Sequence, residues 1–142
     1  MTDRTATAAL TVADWMTPDP VAVAPEAGLI EIRALFRRHR FHHVPVVADG
    51  RPVGVVSDRD VLAAVSPFLD TPGETPRDVG TLARTAADLM ATDLRVVALD
   101  APLVEASRQM VEAEVSSLLV VDGDGALVGI LTARDVLRAS MG

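Results

Sequence analysis

The sequence predicts an α/β chain of the α+β kind, built as a tandem pair of one β-α-β-β-α unit. Three observations predict it. One ordered block of residues occurs twice along the 142-residue chain, and internal self-similarity of this kind marks a repeated structural unit. Each block holds short Val-rich runs bounded by Gly, Pro and Asp, the pattern of strands between turns. Between the first and second of those runs, apolar residues recur at helical spacing.

The first block reads D-W-M-T, L-I-E, V-P-V-V and V-G-V-V-S-D-R-D-V-L from Asp14 to Leu62. The second reads D-L-M-A, L-V-E, L-L-V-V and V-G-I-L-T-A-R-D-V-L from Asp88 to Leu137. Asp14, Met16 and Glu31 match Asp88, Met90 and Glu105 at an offset of 74 residues, and after the hairpin Gly54 and Asp60 match Gly129 and Asp135 at 75. Each block opens with a short strand, Val21–Val23 or Arg95–Val97. A helix follows, with Leu29, Ile32 and Phe36 on one face and Leu103, Ala106 and Met110 in the second copy. Arg37, Arg38 and Arg40 gather near the end of the first of these helices, where cations complement the macrodipole. Val44–Val47 and Leu118–Val121 are continuous apolar strands, turned at Asp49-Gly50 and at Asp122 to Gly125 into Val53–Val56 and Val128–Leu131. A short helix then begins at Asp58 or Ala133.

These elements divide the chain into a flexible start over residues 1–11, a first copy over 12–66, a linker over 67–84 and a second copy over 85–142. The linker holds Pro67, Pro72, Gly73 and Pro76, with a helical stretch expected after Arg77. One copy is too small to hide its own sheet face, so the two are expected to pack together.

Composition narrows the function. Cysteine is absent, so disulfides and thiolate chemistry are excluded, in keeping with a cytoplasmic location. Residues 1–10 hold no apolar run fit for a signal peptide, and Val44–Val56 is broken by Asp49, Gly50, Arg51 and Pro52. A soluble chain without a membrane partner is expected. The net charge of −7, aromatics at 3% and the absence of Tyr argue against nucleic-acid binding, which needs cations for phosphates and rings for bases. No nucleophile elbow or metal motif occurs, so neither an enzyme nor a catalytic residue is expected.

The order M-T-P, V-P-V-V, V-G-V-V-S-D-R-D-V-L, given twice, resembles the CBS domain pair, or Bateman module, over about Asp14 to Met141. The spacing of Gly, two apolar residues and Ser/Thr-x-x-Asp carries the resemblance. In style the chain is similar to stand-alone bacterial CBS-pair proteins, including the acetoin-utilisation type. The resemblance implies a pseudo-twofold pair with two clefts between the copies. It also implies an adenosine-containing regulatory ligand (AMP, ADP or ATP, with S-adenosylmethionine and NAD as further candidates), no required cofactor, and dimerisation.

Ser57-Asp58-Arg59-Asp60 and Thr132-Ala133-Arg134-Asp135 admit two readings. One is a capping box, hydroxyl and carboxylate serving the first backbone N–H groups of a helix. The other follows from the resemblance. Asp60 and Asp135 accept both ribose hydroxyls, while Ser57 or Thr132 and the free helix N–H groups meet a phosphate. Arg59 and Arg134 favour the second reading, because a cation in the first turn opposes the helix dipole unless an anion offsets it. Carried over residue by residue, the resemblance joins Thr132, Arg134 and Asp135 to Met16, Val21, Ala22, His42 and His43, and joins Ser57, Arg59 and Asp60 to Met90, Val96, Ser116 and Ser117. The second group also holds Asp58, with Glu112 and Glu114 in place of the basic cluster, so phosphorylated ligand is expected first at Thr132/Asp135.

Other residues read more plainly. Gly54 and Gly129 inside strands point to close packing by a neighbour ahead of a ligand. His42 and His43, adjacent on a strand, point to opposite faces and share no metal, and His39 has a surface role. Asp122-Gly-Asp124-Gly125 is a turn lacking the later ligands of a calcium loop. Trp15 and Phe41 cover the core or cleft edges. The face bearing Leu29, Ile32 and Phe36 is expected to drive homodimerisation, and a separate effector protein to receive any signal. The competing function is an interaction scaffold with empty clefts, acting through dimerisation and a partner.

Overall fold

The computed structural model describes residues 10–64, 73 and 84–141. The flexible start expected over 1–11 and the linker over 67–84, with its helical stretch after Arg77, therefore lie outside the described residues except at 10, 11, 73 and 84. The chain divides into two compact units, Val21–Leu94 and Arg95–Gly142 joined by the leading segment Met1–Pro20. Each is built on the helices and hairpin of one copy, together with the opening segment of the other.

In the Val21–Leu94 unit, Leu29–Arg38 forms helix α2. Leu29 and Ile32, three residues apart and so on one side, are fully buried. The helix ends with Arg37 and Arg38 in its last turn, and the His39 N–H still reaches the Leu35 carbonyl at 3.0 Å. Strands β2 (His43–Ala48) and β3 (Arg51–Ser57) pair antiparallel across Asp49 and Gly50. Both turn residues take positive φ, 53° and 79°, as a two-residue hairpin turn requires. The strand expected at Val21–Val23 contracts to one parallel bridge between Val23 and Val46. Pro20 and Pro25 flank it, and proline has no N–H to extend the ladder. Helix α3 (Asp58–Ala64) follows β3 directly and packs on α2. Helix α4 (Ala86–Leu89), the opening segment of the second copy, docks here through Ala86 N–H to the Ala27 carbonyl at 2.8 Å and a Val55–Ala91 bridge.

The other unit repeats this plan. Helix α1 (Val12–Trp15) and strand β1 (Thr17–Pro18) come from the opening of the first copy. They join β4 (Val96–Ala98), α5 (Leu103–Ala113), β5 (Ser117–Val121), β6 (Leu127–Thr132) and α6 (Ala133–Ser140). The sheet order is β1-β6-β5-β4, with only the β4–β5 pair parallel. The Asp122 turn satisfies itself, because the Asp122 carboxylate accepts the N–H groups of Asp124 at 2.9 Å and Ala126 at 3.0 Å. The turn reading of that segment holds.

The apolar face of α2 is corrected by the structure. Leu29 and Ile32 belong to the core and Phe36 packs against it, so that face is consumed inside its own unit. Among the described residues, the large apolar side chains left exposed lie elsewhere: Val21, Ile30 and Leu62 in one unit, Val96, Val104, Val111, Leu137 and Met141 in the other.

Candidate functional site

Two strand-to-helix turns carry the polar groups singled out in the sequence. At the first, the Ser57 N–H donates to Asp60 Oδ2 at 2.9 Å and the Asp60 N–H donates to Ser57 Oγ at 3.1 Å. At the second, the Thr132 N–H and hydroxyl donate to Asp135 Oδ2 at 2.8 and 3.0 Å, and the Asp135 N–H donates to Thr132 Oγ1 at 3.2 Å. Both are complete capping boxes. The same bonding between Thr and Asp starts α1, where the Thr11 N–H donates to Asp14, and α4, where the Thr85 N–H donates to Asp88. Capping is thus common to four helices, and a ligand role must rest on what the carboxylates at β3–α3 and β6–α6 have left to offer.

Those two carboxylates differ. Asp135 is 5% exposed, and its second oxygen, Oδ1, accepts Arg138 Nη1 at 3.2 Å. The Arg138 guanidinium carbon also stands 5.8 Å from the centre of the Trp15 ring, within cation–π range. Asp60 is half-buried, and among the described residues its Oδ1 meets no partner. Neither arginine of the first turns is buried; Arg59 and Arg134 both face solvent.

The flanking residues sort by unit. His43 pairs with Ser57 across the hairpin, and the Asp58 N–H donates to the His42 carbonyl at 3.0 Å. The His42 ring closes this turn, with Nδ1 2.9 Å from Asp58 Oδ2. That hydrogen bond is the main reason the Asp58 carboxyl titrates below its ordinary value, outweighing a smaller desolvation effect. In the other unit Ser117 pairs with Thr132, and the Ala133 N–H donates to the Ser116 carbonyl at 2.8 Å. The backbone arrangement is thus the same in both, while His42, His43 and Asp58 give way to Ser116, Ser117 and Ala133.

Met16 shares a unit with Thr132, Arg134 and Asp135, and Met90 shares one with Ser57, Arg59 and Asp60. Val21 and Ala22, both exposed, lie with His42 and His43 in the unit of Ser57; the exposed Val96 lies with Ser116 and Ser117 in the unit of Thr132. Met90 packs over Gly54, and Met16 over Gly129. Glu112 lines a cavity of about 280 Å³ with Arg95, Gln109, Ala113 and Leu118. His39 stacks on Phe41, which meets Phe36 edge-on. Among the described residues no group of three His, Cys, Asp or Glu could hold a metal ion. Arg138 and its contact with Trp15 escaped the sequence reading. The signal was a difference between the copies, because the matching positions hold Ala63 and Leu89.

The chain is 32% identical over 151 residues to the chloroplastic CBS domain-containing protein CBSX2 of Arabidopsis thaliana, covering 92% of this chain and 63% of the relative. It spans about three fifths of the length of the first curated relatives it matches. Among solved structures it resembles CBSX2 in complex with AMP, with TM-score 0.75 and 34% identity over 92% of this chain and 96% of that one. It also resembles a putative acetoin utilization protein, AcuB, from Vibrio cholerae, with TM-score 0.76 and 28% identity over 93% and 90%. A third likeness is the CBS domain of the bacterial CNNM/CorC family Mg2+ transporter in complex with ATP, with TM-score 0.79 and 26% identity over 99% and 94%. The CBS domain model matches residues 12–67 and again 86–142, and with the same unit built twice around Ser57–Asp60 and Thr132–Asp135, the chain belongs to the CBS domain family.

Proposed function

We propose that this chain is a regulatory module that binds an adenosine-containing ligand at its Ser/Thr-x-x-Asp turns and does no catalysis. The observation that carries the reading is the half-buried Asp60 carboxylate. One of its oxygens is fixed by Ser57 and the other has no partner among the described residues. A carboxylate held in this way suits a ribose hydroxyl, since hydrogen bonds to an ionised acceptor are the stronger kind. The AMP complex of CBSX2 and the ATP complex of the transporter domain support an adenine nucleotide. The residues that hold it are Ser57, Arg59, Asp60, His42, His43, Val21, Ala22 and Met90 in one unit and Thr132, Arg134, Asp135, Met16, Val96, Ser116 and Ser117 in the other. The module works in the cytoplasm as a homodimer read by a separate effector protein. No helix among the described residues is long and apolar enough to cross a membrane.

A thermal-shift panel of AMP, ADP, ATP, S-adenosylmethionine and NAD tests the proposal. Ligand at 100 times its dissociation constant adds about 2.7 kcal/mol of stability. No shift with any of them would leave the interaction scaffold as the function. One observation already leans that way for the Thr132 turn, where the carboxylate is satisfied internally.

A further inference from the structure

The two Ser/Thr-x-x-Asp turns share a backbone arrangement and differ in one side chain that touches the carboxylate. Arg138 donates to Asp135 Oδ1 at 3.2 Å, and its guanidinium carbon lies 5.8 Å from the Trp15 ring centre. Asp135 Oδ2 is already engaged by the Thr132 N–H and hydroxyl, so both oxygens of this buried carboxylate are in use. At the repeat positions of the other unit, Ala63 stands for Arg138 and Leu89 for Trp15. The cation and the ring that receives it are therefore present together in one unit and absent together from the other. Ala63 offers nothing to Asp60, whose Oδ1 has no partner among the described residues.

We infer that Arg138 is a specificity-determining latch: held between Trp15 and Asp135, it occupies the carboxylate oxygen that a ribose diol needs and makes the Thr132–Asp135 turn the weaker of two ligand sites. This rests on the adenosine reading above and reverses the order of filling expected from charge alone. A cis-diol presents two hydroxyls that a carboxylate meets with both oxygens. At Asp60 one oxygen is open to the incoming ligand, whereas at Asp135 the same oxygen must first release a guanidinium. Arg138 is exposed for 60% of its side chain, so the latch is weak and can swing aside. Losing an ion pair whose cation lies in solvent in this way corresponds to a change of about fivefold in affinity. The latch thus ranks the two sites without sealing either. A phosphate could also attract Arg138 once released, and the test separates that role from latching.

The test is calorimetric titration of AMP into the full chain and into Asp60→Ala, Asp135→Ala, Arg138→Ala and the Asp60→Ala/Arg138→Ala pair. Asp60→Ala is expected to remove the tighter event, and Asp135→Ala to spare it. In the Asp60→Ala background, Arg138→Ala is expected to tighten the remaining event about fivefold. Trp15, the single tryptophan of the chain, supplies a second readout. AMP should change its emission in Asp60→Ala as the guanidinium leaves the ring, and should not do so once Arg138 is alanine. Arg138→Met, which keeps an unbranched stem, replaces the alanine variant if that fails to fold. Binding that is unchanged or weakened by the loss of Arg138 overturns the latch alone, the weakened case marking Arg138 as a phosphate ligand. The Asp60→Ala/Asp135→Ala pair is titrated alongside these: if the wild type binds AMP but this pair binds it equally well, or if no protein binds it, the adenosine reading falls and the latch with it.

Discussion

Met90 lies over Gly54 so closely that a Cβ built on the glycine would stand 2.7 Å from the Met90 Cγ and 2.8 Å from its Cβ. The second unit repeats the contact, where a Cβ on Gly129 would stand 3.1 Å from the Met16 Cγ and 2.9 Å from the Thr17 carbonyl oxygen. The strand glycines thus exist to let the opening segment of the other copy lie flat on β3 and β6. Gly54→Ala and Gly129→Ala are each expected to destabilise by about 1–3 kcal/mol, the usual cost of overpacking. Urea unfolding measures it. Gly54→Ala should cost less in a Met90→Ala background, which removes the Sδ and Cγ contacts but keeps the Met90 Cβ, and Gly129→Ala should keep part of its cost in Met16→Ala because the Thr17 carbonyl is backbone. Additive costs at Gly54 would contradict the packing account.

The hydrogen bond from His42 holds the Asp58 carboxyl below its ordinary value of 3.8. A carboxyl whose folded value is depressed contributes stability that is fully present above its unfolded value and lost as pH falls through the folded one. The contribution of Asp58 is therefore expected above about pH 4 and to vanish in more acidic solution. Carbon-detected NMR titration of Asp58 should give a midpoint that rises in His42→Ala. An unmoved midpoint would assign the depression to the helix terminus instead.

Val104 and Val111 are exposed on α5, Leu137 on α6 and Met141 just beyond its end, and the two helices pack on each other. Exposed apolar side chains favour association where a second copy covers them. At micromolar concentration, sedimentation equilibrium is expected to report twice the 15.0 kDa chain mass. Leu137→Asp should shift the balance toward monomer. A wild type that is monomeric under these conditions would remove the homodimer from the proposal.

The hairpins and the long helices were readable in the sequence because their signals are local. Asp49-Gly50 demands positive φ at two adjacent residues, and the spacing of Leu29 and Ile32 repeats within one turn of helix. The short helices α1 and α4 were not read as helices, because four residues carry no periodicity, although Thr11-x-x-Asp14 and Thr85-x-x-Asp88 spell their caps. Nor could local pattern show that each opening segment docks on the other copy, since pairings such as Thr17 with Ile130 join residues far apart in the chain. At the candidate site the capping pairs were readable from spacing. Which partner takes the second carboxylate oxygen was not, because Arg138 reaches Asp135 only once α6 places them on the same side. The burial of the Leu29, Ile32 and Phe36 face was illegible for a related reason: helical spacing shows that these residues share a side but not what covers it.

On the proposed function, Asp60 and Asp135 hold a ribose as well as capping a helix. Calorimetric titration of AMP into the wild type and into Asp60→Asn/Asp135→Asn, with the melting of both recorded, tests it most directly. Asparagine keeps an oxygen for the cap and removes the charge. Hydrogen bonds to a charged group are worth about 1.5–3 kcal/mol, so affinity is expected to fall by roughly ten- to hundredfold with only a modest fall in melting temperature. Affinity unchanged beside a large fall in melting temperature would contradict it, and would leave both carboxylates as caps alone.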